Sequence, residues 1–73
     1  MNVKVTAIGR TENTTKTFEG EIDALPSIKK SLVVKSEGQT IFESDPVDVV
    51  THHVKDNAYT LKIGRHKVRV EVK

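Results

Sequence analysis

Three histidines are the side chains in this sequence best suited to metal binding or proton transfer. His52 and His53 are consecutive in a run that we expect to be a β-strand, so their rings point to opposite faces and cannot share one metal ion. His66 lies beside a predicted turn, and the sequence offers no second ligand near it. Neither Cys-x-x-Cys nor His-Glu-x-x-His spacing occurs. We therefore predict no metal site and no cofactor.

Carboxylates are the second group of side chains that could bind a metal ion or take part in catalysis. Glu43, Asp45 and Asp48 straddle Pro46, but they lack the glycine and the bidentate glutamate of an EF-hand loop. Asp45-Pro46 is therefore predicted to form a turn. No serine lies in a nucleophile-elbow sequence, and the glycines miss the phosphate-loop spacings. A chain this short also encloses little pocket volume. We predict that the protein is not an enzyme and has no small-molecule substrate.

The closing segment, "LKIGRHKVRVEVK", concentrates basic residues in two alternating runs around a glycine. Basic side chains there could contact phosphates, and neighbouring polar groups could add hydrogen bonds. Glu71 lies near enough to neutralise part of this charge. The rings of Phe18, Phe42 and Tyr59 are expected in the core, so few are left to stack on bases. The candidate binding face consists of His53, Thr60, Lys62, Arg65, Lys67 and Arg69.

Adjacent valines indicate a different kind of binding. Val33 and Val34 are consecutive, as are Val49 and Val50, so one valine of each pair faces away from the core side of its strand. Surplus apolar groups and exposed sheet edges are typical of contacts between proteins. We predict a non-catalytic binding or assembly module, whose partner is a protein or a second copy of the chain. A nucleic-acid-binding module that uses the basic hairpin is the alternative.

Composition sets the class of the protein. The chain has 73 residues, a formal net charge of +2 and no cysteine. Eleven valines, five isoleucines and eight threonines make about a third of the residues β-branched, which favours strands. The sequence shows no apolar run long enough for a signal peptide or a membrane span. We expect a cytoplasmic protein that does not bind membranes and that forms a single domain over residues 1–73.

Periodicity along the first half predicts one hairpin and leaves two interpretations of the next segment. Residues 3–7 and 14–18 read as strands joined by a turn at residues 9–13. Leu25, Ile28 and Leu32 recur with helical spacing, which predicts a short helix near residues 24–31. The rival interpretation is a hairpin of residues 31–36 and 40–43 around Glu37-Gly38. Both hold if the helix ends near residue 31.

The second half predicts a three-stranded meander of residues 47–54, 58–63 and 67–72. A two-residue Gly64-Arg65 turn sets apolar residues of the last two strands opposite each other, whereas a three-residue loop would mix apolar with charged positions. A four-residue loop also keeps the faces apart. The two-residue turn pairs Leu61 with Val68, Tyr59 with Val70, Lys62 with Lys67 and Thr60 with Arg69.

An Asp56-Asn57 turn would extend this meander by one strand. It pairs His52 with Leu61 and His53 with Thr60, so that His52 lies on the apolar face. The predicted fold is therefore mainly β, a small antiparallel barrel or sandwich of about five to seven short strands, with one short helix near residues 24–31. The alternative is an α+β domain with that helix packed on an open sheet.

Overall fold

The computed structural model describes residues 1–8 and 15–73. In this part of the chain the strands form one antiparallel sheet, whose order is β4-β3-β2-β1-β7-β6-β5. The mainly β class and the predicted number of strands are confirmed. The predicted turn at residues 9–13 lies outside the described residues. The strands are β1 (Asn2–Ile8), β2 (Lys16–Glu21), β3 (Ser31–Ser36), β4 (Gln39–Pro46), β5 (Val49–His53), β6 (Ala58–Ile63) and β7 (His66–Val72).

Alternation along the strands gives the sheet one apolar, concave face and one polar, convex face. In β1, Val3 and Val5 are buried while Lys4 and Thr6 point to the convex side. The concave face closes on itself to form the core, and β4 packs across it against β6. The buried core consists of Val3, Val5, Ile22, Leu32, Val34, Val47, Tyr59, Leu61, Ile63, Val68 and Val70.

The sheet is curled but open. Its strand order begins with β4 and ends with β5, and these two strands are not hydrogen-bonded to each other in the described structure. The predicted closure into a barrel is therefore not found, and the strands belong to one sheet rather than two. Two free edges remain, and they differ in character.

Two β-bulges in β4 help the sheet to curl. The pairing moves from Lys35↔Thr40 to Val34↔Phe42, which leaves Ile41 as an extra residue. A second shift follows towards Pro46. At this second bulge the hydroxyl oxygen of Ser44 accepts the Leu32 backbone N–H at 2.8 Å. Bulges bend a strand and increase its twist, so β4 turns inward over the core.

The predicted helix at residues 24–31 is wrong, and so is the α+β alternative that depended on it. Leu25 and Ile28, which supplied the helical spacing, remain 46% and 56% exposed. Lys29 has a positive φ of 67°, which a right-handed helix does not allow. Its N–H donates to the Val47 carbonyl at 2.7 Å, so the segment is an irregular link with a turn at residues 28–29, held beside Val47. The rival prediction, a hairpin around Glu37-Gly38, is confirmed by β3 and β4.

The closing hairpin has the predicted register. Lys62 lies opposite Lys67 and Leu61 opposite Val68 across a two-residue turn. Gly64 takes a φ of +60° at the first turn position, where glycine is favoured. The Gly64 N–H also donates to the Asp48 carboxylate at 2.7 Å, which ties this turn to the start of β5.

The predicted register between β5 and β6 is wrong by two residues. His52 lies opposite Tyr59 rather than Leu61, and His53 lies opposite Ala58 rather than Thr60. The reason is a four-residue connection, in which Val54–Asp56 form a 3-10 turn and Asn57 adopts a φ of 50°. The predicted two-residue turn is too short to contain this 3-10 turn. Because the shift is even, each side chain keeps its predicted face.

Candidate functional site

The convex face carries five of the six predicted binding residues. His53 projects from β5, Thr60 and Lys62 from β6, and Lys67 and Arg69 from β7, while the sixth, Arg65, lies in the turn. The pairing of β7 with β1 adds Thr6 beside Arg69 and Ile8 beside Lys67. These side chains therefore share one surface, but their surroundings divide them into two groups.

The first group is already engaged within the molecule. One guanidinium nitrogen of Arg69 lies 3.6 Å from the Asp56 carboxylate, and its Nε lies 3.2 Å from that of Glu71. Two carboxylates thus balance this positive charge. His53 Nε2 and Thr60 Oγ1 lie 2.8 Å apart and share a hydrogen bond. The polar groups of His53, Thr60 and Arg69 are therefore partly satisfied without any ligand.

The second group lies at the end of the face nearest the turn. Lys62 and Lys67 are direct cross-strand partners, and Arg65 is exposed at the tip of the turn. Within residues 1–8 and 15–73, none of these three cations forms a salt bridge. Like charges placed opposite each other destabilise a sheet. The free positive charge of the hairpin is therefore concentrated in Lys62, Arg65 and Lys67.

At the opposite end of the convex face, positive and negative side chains neutralise each other. Lys4 lies between Glu19 and Glu71 in the sheet register. The Lys73 ammonium donates a hydrogen bond to the Glu19 carboxylate, and this bond, followed by the charges of Lys73 and Lys4, lowers the pKa of Glu19 below its ordinary value. Positive and negative charges alternate here, so this region does not extend the cationic end.

The aromatic rings face the concave side. Phe18 and Phe42 pack with ring centroids 5.3 Å apart. Tyr59 is buried and stacks on the His52 imidazole, with centroids 4.3 Å apart and an angle of 4° between the planes. His52 thus lies on the predicted apolar face, but it is exposed near the end of its strand rather than buried. All three Phe and Tyr rings are turned away from the cationic end.

The β4 edge is protected against strand pairing. It carries two bulges, and its end contains Glu43, Asp45 and Pro46. Charged residues, prolines and bulges are the devices by which natural sheets prevent other strands from adding to an edge. β4 is therefore poorly suited to binding an extended chain.

The β5 edge lacks these devices. Val49–His53 contains no lysine, carboxylate or proline, and its pairing with β6 is regular over all five residues. Val49 is 48% exposed, and Thr51 and His52 are exposed as well. The strand is β-branched at its first three positions, which suits an extended conformation. This is the free edge best fitted to accept another strand.

The register identifies which backbone groups of β5 face outward. Across a two-residue turn, Ile63 and His66 form a hydrogen-bonded pair, so Ile63, Leu61 and Tyr59 direct their backbone groups to β7. Lys62, Thr60 and Ala58 must then direct theirs to β5. Their partners are Val49, Thr51 and His53. The N–H and C=O groups of Val50 and His52 are consequently the ones that point away from the sheet.

A cleft of about 600 Å³ opens between the ends of β4 and β7. Its floor includes Phe42, Ile63 and Val68, and its rim carries Lys67 together with Asp45. A rim of mixed charge does not select one class of ligand.

In the described residues, no three His, Asp or Glu side chains are grouped so that they could hold a metal ion. The same residues contain no helix with the length and apolar character of a membrane span.

Comparison of the chain with protein-family models, with curated proteins and with solved structures returns no match. The site is therefore characterised by its own geometry: a cationic end on the convex face and an unprotected edge at β5.

Proposed function

We propose that this protein is a non-catalytic binding and assembly module that recognises a protein partner by strand addition to β5. The observation that carries the proposal is the contrast between its two edges. β4 is bulged and bears carboxylates and a proline, whereas β5 is regular and contains no lysine, arginine, carboxylate or proline. In an open sheet with one protected and one unprotected edge, a further strand is expected to add at the unprotected edge.

The physical basis of such binding is a row of backbone hydrogen bonds. Each typically contributes about 0.5–1.5 kcal/mol, so a few of them give only modest affinity. An added strand would also cover Val49, which is 48% exposed on the convex side. Val50 already packs against the core from the concave side. The edge thus offers apolar contacts on both faces, as a strand-binding site requires.

Removing one outward N–H should weaken this binding strongly. The probe is an acetylated peptide that alternates threonine and valine and ends in one lysine, titrated into labelled protein while backbone amide shifts are recorded. In the wild type we expect the largest shifts at Val50 and His52. His52→Pro removes an outward N–H that β6 does not use, so it should weaken binding at least tenfold with the fold intact.

The matched control is His52→Thr, which also removes the imidazole but keeps the backbone N–H. It should bind the peptide within about twofold of the wild type, a difference of about 0.4 kcal/mol, because the backbone hydrogen bonds are kept. Loss of binding in both variants would assign the effect to the imidazole and contradict strand addition. Peptide-induced shifts confined to β4 would contradict it as well.

Nucleic-acid binding is the second candidate, favoured by the opposed pair of Lys62 and Lys67 beside Arg65. Because no aromatic ring faces this end, such binding would rest on phosphate contacts and be strongly salt-dependent. The residual charge amounts to three cations, fewer than the four proposed from sequence, since Arg69 is paired with Asp56 and Glu71.

Lys62→Glu separates the effect of this lysine on stability from its contribution to nucleic-acid binding. It turns a repulsive cross-strand pair into an attractive one, so we expect a gain of about 0.5 kcal/mol in the free energy of unfolding, measured with urea. If the cationic end binds nucleic acid, the same variant should lose affinity for a labelled duplex at low salt. Lys30→Glu, an exposed substitution outside the face with the same change of charge, should leave that affinity nearly unchanged.

A further inference from the structure

Opposite charges flank the β5 edge. Asp48 precedes the strand and Lys55 follows it, while the six residues between them carry no carboxylate or lysine. The Asp48 carboxylate is held in place by its hydrogen bond from the Gly64 N–H. When two strands of this kind pair antiparallel, the acidic flank of each lies beside the basic flank of the other. The edge is therefore electrostatically complementary to itself.

We propose that the partner bound at β5 is a second copy of this chain, paired antiparallel about a two-fold axis that passes through Thr51. The inference rests on the proposed function, because it names the occupant of the same edge. The two sheets then form one sheet that is continuous across both copies. Such a two-fold interface places the same residues on both sides.

The outward backbone groups select this register. Val50 and His52 both point away from β6, so Val50 of each copy can form a hydrogen-bonded pair with His52 of the other. This arrangement makes four backbone hydrogen bonds symmetrically about Thr51. A shift of one residue would set inward groups against outward ones and exchange the two faces. A shift of two residues would move the axis to Val50 or His52 and place a flanking residue in one of the pairs.

The side chains fit the same arrangement. On the convex face, Thr51 meets Thr51 of the second copy, and threonine pairs are favourable cross-strand neighbours. Val49 lies opposite His53 of the second copy, so its exposed methyl groups are covered by an imidazole. On the concave face Val50 lies opposite His52, whose ring is already fixed by its stack on Tyr59. No like-charged lysines or carboxylates are brought together.

Cysteine cross-linking tests this register directly, because the chain has no cysteine of its own. Thr51 pairs with itself at a position without backbone hydrogen bonds, where Cα atoms are about 4.5 Å apart, which is within disulfide range. Val49 is also exposed, but its counterpart lies four residues away along the strand, about 13 Å. We expect oxidised Thr51→Cys protein to be mostly covalent dimer, with at least tenfold less dimer for Val49→Cys.

Sedimentation of the wild type accompanies the cross-linking. It distinguishes failure of the proposed dimer from failure of strand addition at β5. A concentration-dependent dimer that is lost in His52→Pro supports the proposal even if a cysteine variant does not fold. Efficient cross-linking of Val49→Cys alone, or equal cross-linking of both variants, overturns the register. A wild type that stays monomeric while the threonine–valine peptide still binds overturns the second copy as partner and leaves strand addition standing. A monomer that also fails to bind the peptide overturns both.

Discussion

Replacing Gly20 by alanine should destabilise the domain by about 3 kcal/mol, near the upper limit for overpacking a well-ordered interior. A Cβ at this position would lie 2.6 Å from the Lys35 carbonyl oxygen and 2.7 Å from a Val34 methyl carbon. The oxygen belongs to the backbone of β3 and cannot rotate away. β2 and β3 are joined in register only by Glu21↔Lys35, so a forced separation acts on the weakest junction of the sheet.

Urea unfolding followed by circular dichroism measures this cost. Gly38→Ala is the control, since a Cβ there meets no atom within 4 Å. The only cost expected for alanine at this position comes from the backbone φ of +80°. That conformation should cost about 1–2 kcal/mol for alanine. A loss for Gly20→Ala no larger than for Gly38→Ala would show that β2 and β3 do not approach as closely as the structure has them.

Truncating Leu61 to alanine should cost about 3–5 kcal/mol. Leu61 is fully buried in the middle of β6, between Val50 of β5 and Val68 of β7. Its removal loses apolar contacts and leaves a cavity that strands tied on both sides cannot collapse to fill. A small single-core domain typically has only about 5 kcal/mol of total stability, so the variant should be partly unfolded at 25 °C.

Thr60→Ala provides the comparison on the opposite face of the same strand. It removes the hydrogen bond to His53 from a half-exposed position and should cost about 1 kcal/mol. Thermal unfolding of the two variants gives the difference between core and convex face within one strand. A Leu61→Ala cost below that of Thr60→Ala would be incompatible with Leu61 at the centre of the core.

The closing hairpin was predictable because local rules agreed there. Alternation fixed which residues of β6 and β7 face inward, and the glycine at position 64 marked the turn. Only an even loop kept the faces apart, and of the two even loops the structure has the two-residue turn, which pairs Lys62 with Lys67. Placing Lys62, Lys67 and Arg69 on one face depended on nothing else.

The β5–β6 register, the ion pair of Arg69 with Asp56 and the segment around Leu25 depended on contacts that the alternation of apolar and polar residues does not predict. The β5–β6 register differs from the prediction by two residues, a shift that leaves every face unchanged and requires Asn57 in a left-handed conformation. That shift goes with Asp56 lying beside Arg69, so this second ion pair of the arginine, in addition to the one with Glu71, was missed. Leu25 and Ile28 have helical spacing, but no neighbouring element covers them.

The free edge at β5 could not be identified from sequence, because it depends on strand order. The uncharged run at residues 49–53 was visible, but the same run in the middle of the sheet would be an ordinary buried strand. Pairing of β1 with β7 brings distant parts of the chain together and leaves β5 outermost. The outward groups of Val50 and His52 follow only once that order is known.

Amide hydrogen exchange along β5 is the most direct test of the claim that this strand is an unguarded binding edge. In dilute protein we expect slow exchange at Thr51 and His53, whose N–H groups face β6, and fast exchange at Val50 and His52. Raising the protein concentration should then slow exchange at Val50 and His52 while the outward amides of β4 stay fast. Equal exchange at all four positions, or slowing at β4 instead of β5, would contradict the account.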